Sequence, residues 1–103
     1  MVQKIDTKQF ESMDKTGLKV IDFNATWWGP WRMLSPILEE LSEDYAGKAE
    51  FFAIDTDENG SLAEKFNIIS IPAVVFLKNG EKVDMHVGFA PKQEFTAIIE
   101  KNI

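Results

Sequence analysis

Apolar and polar positions along this chain switch between a helical and an extended period, and each switch marks an element. Asp6-Thr7-Lys8-Gln9 offers an N-cap aspartate with glutamine three residues on. Phe10 and Met13 then supply a narrow apolar stripe, so a short first helix is expected, ending near Gly17. Leu18-Lys19-Val20-Ile21-Asp22-Phe23 is apolar on both faces, which marks a central strand covered by helices on each side, with Asp22 as the exception inside it. From Trp31 through Leu34, Leu38, Leu41 and Tyr45 the spacing becomes helical, with Glu39, Glu40, Glu43 and Asp44 mostly on the other, solvated side. This is the longest expected helix. Pro36 within it predicts a kink, since proline removes a hydrogen bond and crowds the preceding turn, and Gly47 suits its C-terminal cap.

Ala49 to Asp55, with Phe51, Phe52 and Ile54 apolar, reads as the next strand and runs into the polar turn Thr56-Asp57-Glu58-Asn59-Gly60. A short helix, Ser61 to Phe66, follows. The connection between the two strands is long enough for a right-handed parallel crossover. The last third changes character. Ala73 to Lys78, then Asn79-Gly80, then Glu81 to Val87 is a β-hairpin, because Asn-Gly is the strongest two-residue hairpin signal. Pro91 at a first helical turn, with Glu94 close behind, opens a closing helix that turns Phe95, Ile98 and Ile99 to the core. The pattern predicts an α/β architecture: one mixed sheet, a parallel half followed by an antiparallel hairpin, with helices on both faces.

Composition narrows what such a fold could do. With 103 residues and neither linker nor repeat, a single domain over 1–103 is expected, and 45% apolar with 27% charged residues is ordinary for a globular chain. Eleven basic against seventeen acidic residues give a net charge of −6, which disfavours nucleic acid and anionic membrane surfaces as partners. No apolar run approaches the roughly 20 residues of a membrane span, and the first residues lack the apolar core of a secretion signal, so a soluble, cytoplasmic chain is expected. There is no cysteine, which removes disulfides, thiolate catalysis and cysteine metal sites. The one histidine, His86, lies in an alternating strand with no ligand set around it and is expected to be a half-exposed strand residue. No nucleotide loop, hydrolase triad or zinc motif is present, so neither cofactor nor metal is expected.

Between the first long strand and the longest helix lies Ala25-Thr26-Trp27-Trp28-Gly29-Pro30-Trp31-Arg32, which holds all three tryptophans of the chain. Its Gly-Pro pair marks a strand-to-helix corner, the place where α/β proteins usually carry their chemistry. Indole brings little chemistry of its own: one N–H donor, a large apolar face and no ionisable group.

Over essentially its whole length the chain resembles the thioredoxin family. Val20-Ile21-Asp22-Phe23 is similar to that family's central strand with its buried aspartate. Trp27-Trp28-Gly29-Pro30-Trp31-Arg32 occupies the place of the Trp-Cys-Gly-Pro-Cys-Lys/Arg motif. Ser70-Ile71-Pro72 resembles the loop whose proline is cis and faces the active site, and Phe76-Leu77-Lys78-Asn79-Gly80 followed by Gly88 matches the terminal hairpin. The departure falls on the residues that define the activity, because Trp28 and Trp31 stand where the family has its two cysteines. Ala53 also departs, at a place where many members carry a lysine near the buried aspartate.

The resemblance implies a protein-disulfide oxidoreductase whose first thiolate attacks a substrate disulfide and whose second resolves the mixed disulfide, with a thioredoxin reductase as partner. Indole nitrogen does neither, so this chain is expected to lack dithiol-disulfide exchange, leaving Asp22 either an inherited proton-transfer position without a thiol or an edge-facing or water-linked aspartate without function. A second expectation is a redox-independent module that holds extended peptides or a partner protein in a groove at Trp27, Trp28, Gly29, Pro30, Ile71, Pro72 and Gly88. Cysteine and tryptophan codons can differ by one base and UGA has non-standard meanings; with cysteines at 28 and 31 the chain would be an ordinary disulfide oxidoreductase. An enzyme using Asp22 as acid or base in another reaction would need a second catalytic group, and none stands out. In the family the place of Trp31 is mostly enclosed, and overpacking there costs about 1 to 3 kcal/mol. Either the helix start shifts outward or Trp31 turns into the groove.

Overall fold

A computed structural model describes residues 1–25 and 29–103, the last group with backbone alone for residues 29–31. The chain runs β1 (Gln3–Lys4), α1 (Thr7–Ser12), β2 (Leu18–Asn24), α2 (Gly29–Asp44), β3 (Ala49–Asp55), α3 (Gly60–Lys65), β4 (Ala73–Lys78), β5 (Glu81–Val87) and α4 (Lys92–Asn102). The strands form a five-stranded sheet in the order β1-β3-β2-β4-β5. β2 lies at its centre, parallel to β3 and antiparallel to β4, so the expected mixed α/β sheet is the observed one.

All seven residues of β2 are buried, because helices cover both faces. Leu18 and Val20 pack with Leu34, Leu38 and Leu41 of α2 and Phe95 and Ile99 of α4. Ile21 and Phe23 point to the opposite side, against Phe10 of α1 and Leu62 and Ala63 of α3. The strand period of two therefore splits the core into two apolar layers with β2 between them. Ile98, expected inside, is partly buried against the first layer.

The capping box at Asp6 forms as expected: the Asp6 carboxylate accepts from the Gln9 amide at 2.8 Å, and the Gln9 side chain accepts from the Asp6 amide at 3.0 Å. The helix it starts ends at Ser12 rather than near Gly17. Asp14 draws the chain away, its carboxylate accepting from the amide and hydroxyl of Thr16 at 2.9 and 2.7 Å. Gly17 then turns into β2 with φ +82°. β1 was not anticipated from the sequence. Two residues carry no period, and their pairing with β3 is fixed from outside, by the Val2 amide donating to the Glu39 carboxylate at 2.8 Å.

α3 lies one residue earlier than expected, and Phe66 falls just outside it, packed edge-on against Phe10. Pro91 is the N-cap of α4 rather than part of its first turn. The hairpin forms at Asn79 and Gly80, both with positive φ (51° and 88°), the conformation that lets a two-residue turn follow the twist of its strands.

The acidic side of α2 does more than meet solvent. Lys92 pairs with Glu40 at 2.7 Å and Asp44 at 2.8 Å, and the Tyr45 hydroxyl donates to Glu100 at 2.6 Å, so α2 and α4 are clamped together at their surface. Hydrogen bonds to Asp44 and then Glu40 hold the Lys92 ammonium above its ordinary range, and the bond to Glu100 raises the Tyr45 phenol. Both groups keep their proton more firmly in the folded chain than in the unfolded one. Their stabilising contribution is complete below their ordinary ranges and is lost as pH rises through the folded values. Urea midpoints should therefore fall above about pH 10, and Lys92→Met should start lower and fall less steeply over the same range.

Candidate functional site

β2 ends at Asn24, Ala25 is fully buried beyond it, and α2 begins at Gly29. The strand-to-helix corner is thus where the sequence placed it. Trp27 and Trp28 lie outside the described residues, as do the side chains of Pro30 and Trp31, and with them the question of how Trp31 is accommodated. The segment facing the corner comes from the other half of the fold. Ala73 is in register with Phe23, so Pro72 enters β4 at the level of Asn24. The Ile71–Pro72 peptide bond is cis. Pro72 is buried and Ile71 half-buried, and the Pro72 carbonyl accepts from the Gly88 amide at 2.7 Å. Pro72 and Gly88 are therefore brought together, with Ile71 beside them, although 16 positions separate Pro72 from Gly88.

Asp22 is 2% exposed, on the face of β2 that looks toward α2. An unshared charge there would be costly, and buried polar groups are held by hydrogen bonds. Asn24, also 2% exposed, donates its side-chain N–H to the Asp22 carboxylate at 3.1 Å and to the Asp22 carbonyl at 3.3 Å. Next to Asp22 in the sheet stands Ala53, whose methyl leaves room above it. A cavity of about 250 Å³ opens at this point, lined by Val2, Lys4, Asn24, Ser35, Glu39, Ala53 and Asp55. Ser35 and Glu39 lie four apart on α2, which puts both on the helix face above Ala53. The sequence had assigned Glu39 to the solvated face; it is half-buried and ties down β1 instead. Asn24, Ser35 and Lys4 were missed, since only register and packing bring them to this cavity.

Apolar side chains remain exposed around the same end of the sheet. Ile69, in the loop before Pro72, is 95% exposed, and Met33 in the first turns of α2 is 63% exposed. Val87 and Phe89, which flank Gly88, are each about half exposed. His86 is half-buried on β5, its ring edge-on to Phe95 at 5.4 Å. Among the described residues no cluster of acids and histidine is arranged to hold a metal, and no helix is long and apolar enough to cross a membrane.

The family model described as Thioredoxin matches residues 1–101. The chain is similar to the thioredoxin of Staphylococcus epidermidis, with 43% identity over 102 residues, 99% of this chain and 98% of that one. The thioredoxins of Staphylococcus saprophyticus and Staphylococcus aureus match over the same shares at 44% and 41% identity.

The hydrogen bond within β2 gives a direct test of how the buried acid is held. Asn24→Ala takes a donor from a buried carboxylate and should lower stability by about 1 to 3 kcal/mol in urea unfolding. An unchanged midpoint would mean that this carboxamide does not support Asp22.

Proposed function

The chain belongs to the thioredoxin family, and from that premise we propose that it is a member without disulfide chemistry, whose corner at the end of β2 serves to hold extended peptide or a partner protein. One observation carries the first half of this proposal: Trp28 and Trp31 stand at the positions of the two family cysteines, and the chain contains no thiol. Disulfide reduction needs a thiolate that attacks one substrate sulfur and breaks the S–S bond, the departing sulfur taking a proton. A second thiol must then attack the mixed disulfide, so that the substrate leaves with two thiols and the protein carries the disulfide. Two electrons pass from protein to substrate in these steps. Indole forms neither bond.

The second half is supported by what the fold retains. The buried acid, the helix start at Gly29 and the Pro72–Gly88 hydrogen bond are present. Ile69, Met33, Val87 and Phe89 offer apolar area around them. Exposed apolar side chains gathered at one end of a sheet, beside backbone near the start of a strand, suit an extended segment that pairs through its main chain and buries alternate side chains. Partners of this kind are peptides and proteins, and a cytoplasmic setting accords with the family and with the net charge.

Both halves are open to measurement. In a disulfide-reduction assay the chain should give no rate above the uncatalysed background, while the double variant Trp28→Cys with Trp31→Cys should exceed that background on the order of tenfold or more. Activity in the parent chain would overturn the first half, and intact mass would then show whether positions 28 and 31 carry sulfur. Titrating extended peptides should shift tryptophan emission and the amide resonances around Pro72 and Gly88; no change with a varied peptide set would remove the binding role.

A further inference from the structure

β5 is the outermost strand on its side of the sheet, so one of its edges has no strand beside it. Which backbone groups lie along that edge follows from the pairing with β4. The Gly88 amide donates to the Pro72 carbonyl, and antiparallel pairs alternate between bonded and non-bonded. Val74–His86 and Phe76–Asp84 therefore exchange hydrogen bonds, whereas Ala73–Val87 and Val75–Met85 do not. The N–H and C=O groups of Met85 and Val87 point away from β4. We propose that this edge is a self-pairing surface, on which β5 of a second copy of the chain lies antiparallel with Met85 opposite Met85.

The order of side chains along β5 selects both that partner and that register. Asp84 and His86 lie on the α4 face of the sheet, in register with Phe76 and Val74, and the His86 ring meets Phe95 of α4. Met85 lies on the opposite face, packed against the layer that holds Val75. With Met85 at the two-fold axis, Asp84 of each copy stands opposite His86 of the other, an acid facing an imidazole on both sides of the axis. The adjoining registers that keep the same backbone groups paired set Asp84 against Asp84, or His86 against His86, and lose that complementarity. Val83 and Val87, 44% and 48% exposed, flank the axis and give the pair apolar area that a lone chain leaves in water.

Asp84 also sets when the edge is open. In the single chain its carboxylate accepts from the Met85 amide at 2.8 Å, which occupies the donor at the middle of the edge. Self-pairing exchanges that bond for one to the Met85 carbonyl of the second copy, and the released carboxylate accepts from the second copy's His86 instead. Val83 is the extra residue of a bulge between the Phe76–Asp84 and Leu77–Lys82 pairs. A bulge bends its strand, so pairing is confined to the stretch around Met85. So short a contact between two chains of charge −6 makes a weak dimer, which concentration and salt favour.

Sedimentation equilibrium should show the mass rising from 11.7 kDa toward twice that value as the chain is concentrated to about 1 mM in about 0.5 M salt. In a mixture of isotope-labelled and unlabelled copies, NMR should give intermolecular cross-peaks between the Hα protons of Asp84 and His86, which face each other in this register alone. Met85→Lys sets two ammonium groups against each other at the axis and should weaken association on the order of tenfold or more. Val83→Lys, at an exposed position, should weaken it as well and stands in if Met85→Lys does not fold. Met33→Lys, on the exposed start of α2, should leave association as it is. The proposal is overturned if the parent stays at 11.7 kDa throughout, or if association survives both β5 variants with circular dichroism showing the fold kept. Loss of association in Met33→Lys would place the contact at the corner and overturn it too.

Discussion

The burial of β2 on both faces is the constraint from which the rest of this structure follows. A strand with all seven residues out of solvent needs a neighbour on each edge and a layer on each side. β3 and β4 supply the edges, one parallel and one antiparallel. The parallel partner requires a crossover, which becomes α2, whereas β4 arrives after α3, pairs antiparallel with β2 and turns tightly only into β5. The corner between β2 and α2 is therefore fixed by topology before any residue in it is chosen. The loop before β4 must meet it, because Ala73 is held opposite Phe23.

The same burial makes Asp22 the costly residue of the fold. Its neighbours are arranged around that cost: Asn24 donates from two residues on, and Ala53 leaves a space that polar side chains of α2, β1 and β3 surround. Coulombic attraction grows as water is excluded, so polar contacts at Asp22 weigh more than the exposed pair Lys92–Glu40. The clamp of α4 on α2 and the anchoring of Val2 by Glu39 fix the walls of the cavity from outside. Apolar packing on β2 sets where α2 and α4 sit, and the helices in turn determine what the buried acid faces.

What the sequence disclosed divides along the same line. The β2 pattern, the Asn79-Gly80 turn and the Asp6 cap were legible because each is a local signal whose physics acts within a few residues. The cis bond before Pro72 and the place of Gly88 were legible only through resemblance, since nothing local to either one points to the other. The end of α1 was misplaced because an aspartate turn at Asp14 stopped the helix before its apolar stripe ran out. β1 and the inward position of Glu39 were hidden together: each depends on the other, and neither leaves a periodic trace.

The loss of both thiols separates two things that usually travel together in one site. Holding a peptide along a sheet end depends on backbone geometry and apolar area, and both are products of the burial of β2 and of the loop at Pro72. Exchanging electrons with that peptide depends on two sulfur atoms, which the fold does not need in order to form. A change confined to positions 28 and 31 can therefore remove the reaction while the strand pairing, the buried acid and the Pro72–Gly88 contact stay in place. Indole also differs from a thiolate in kind, offering a large apolar face in place of a polarisable nucleophile. The two cysteine positions thus bear on the reaction and not on the pairing of β2 with β3 and β4.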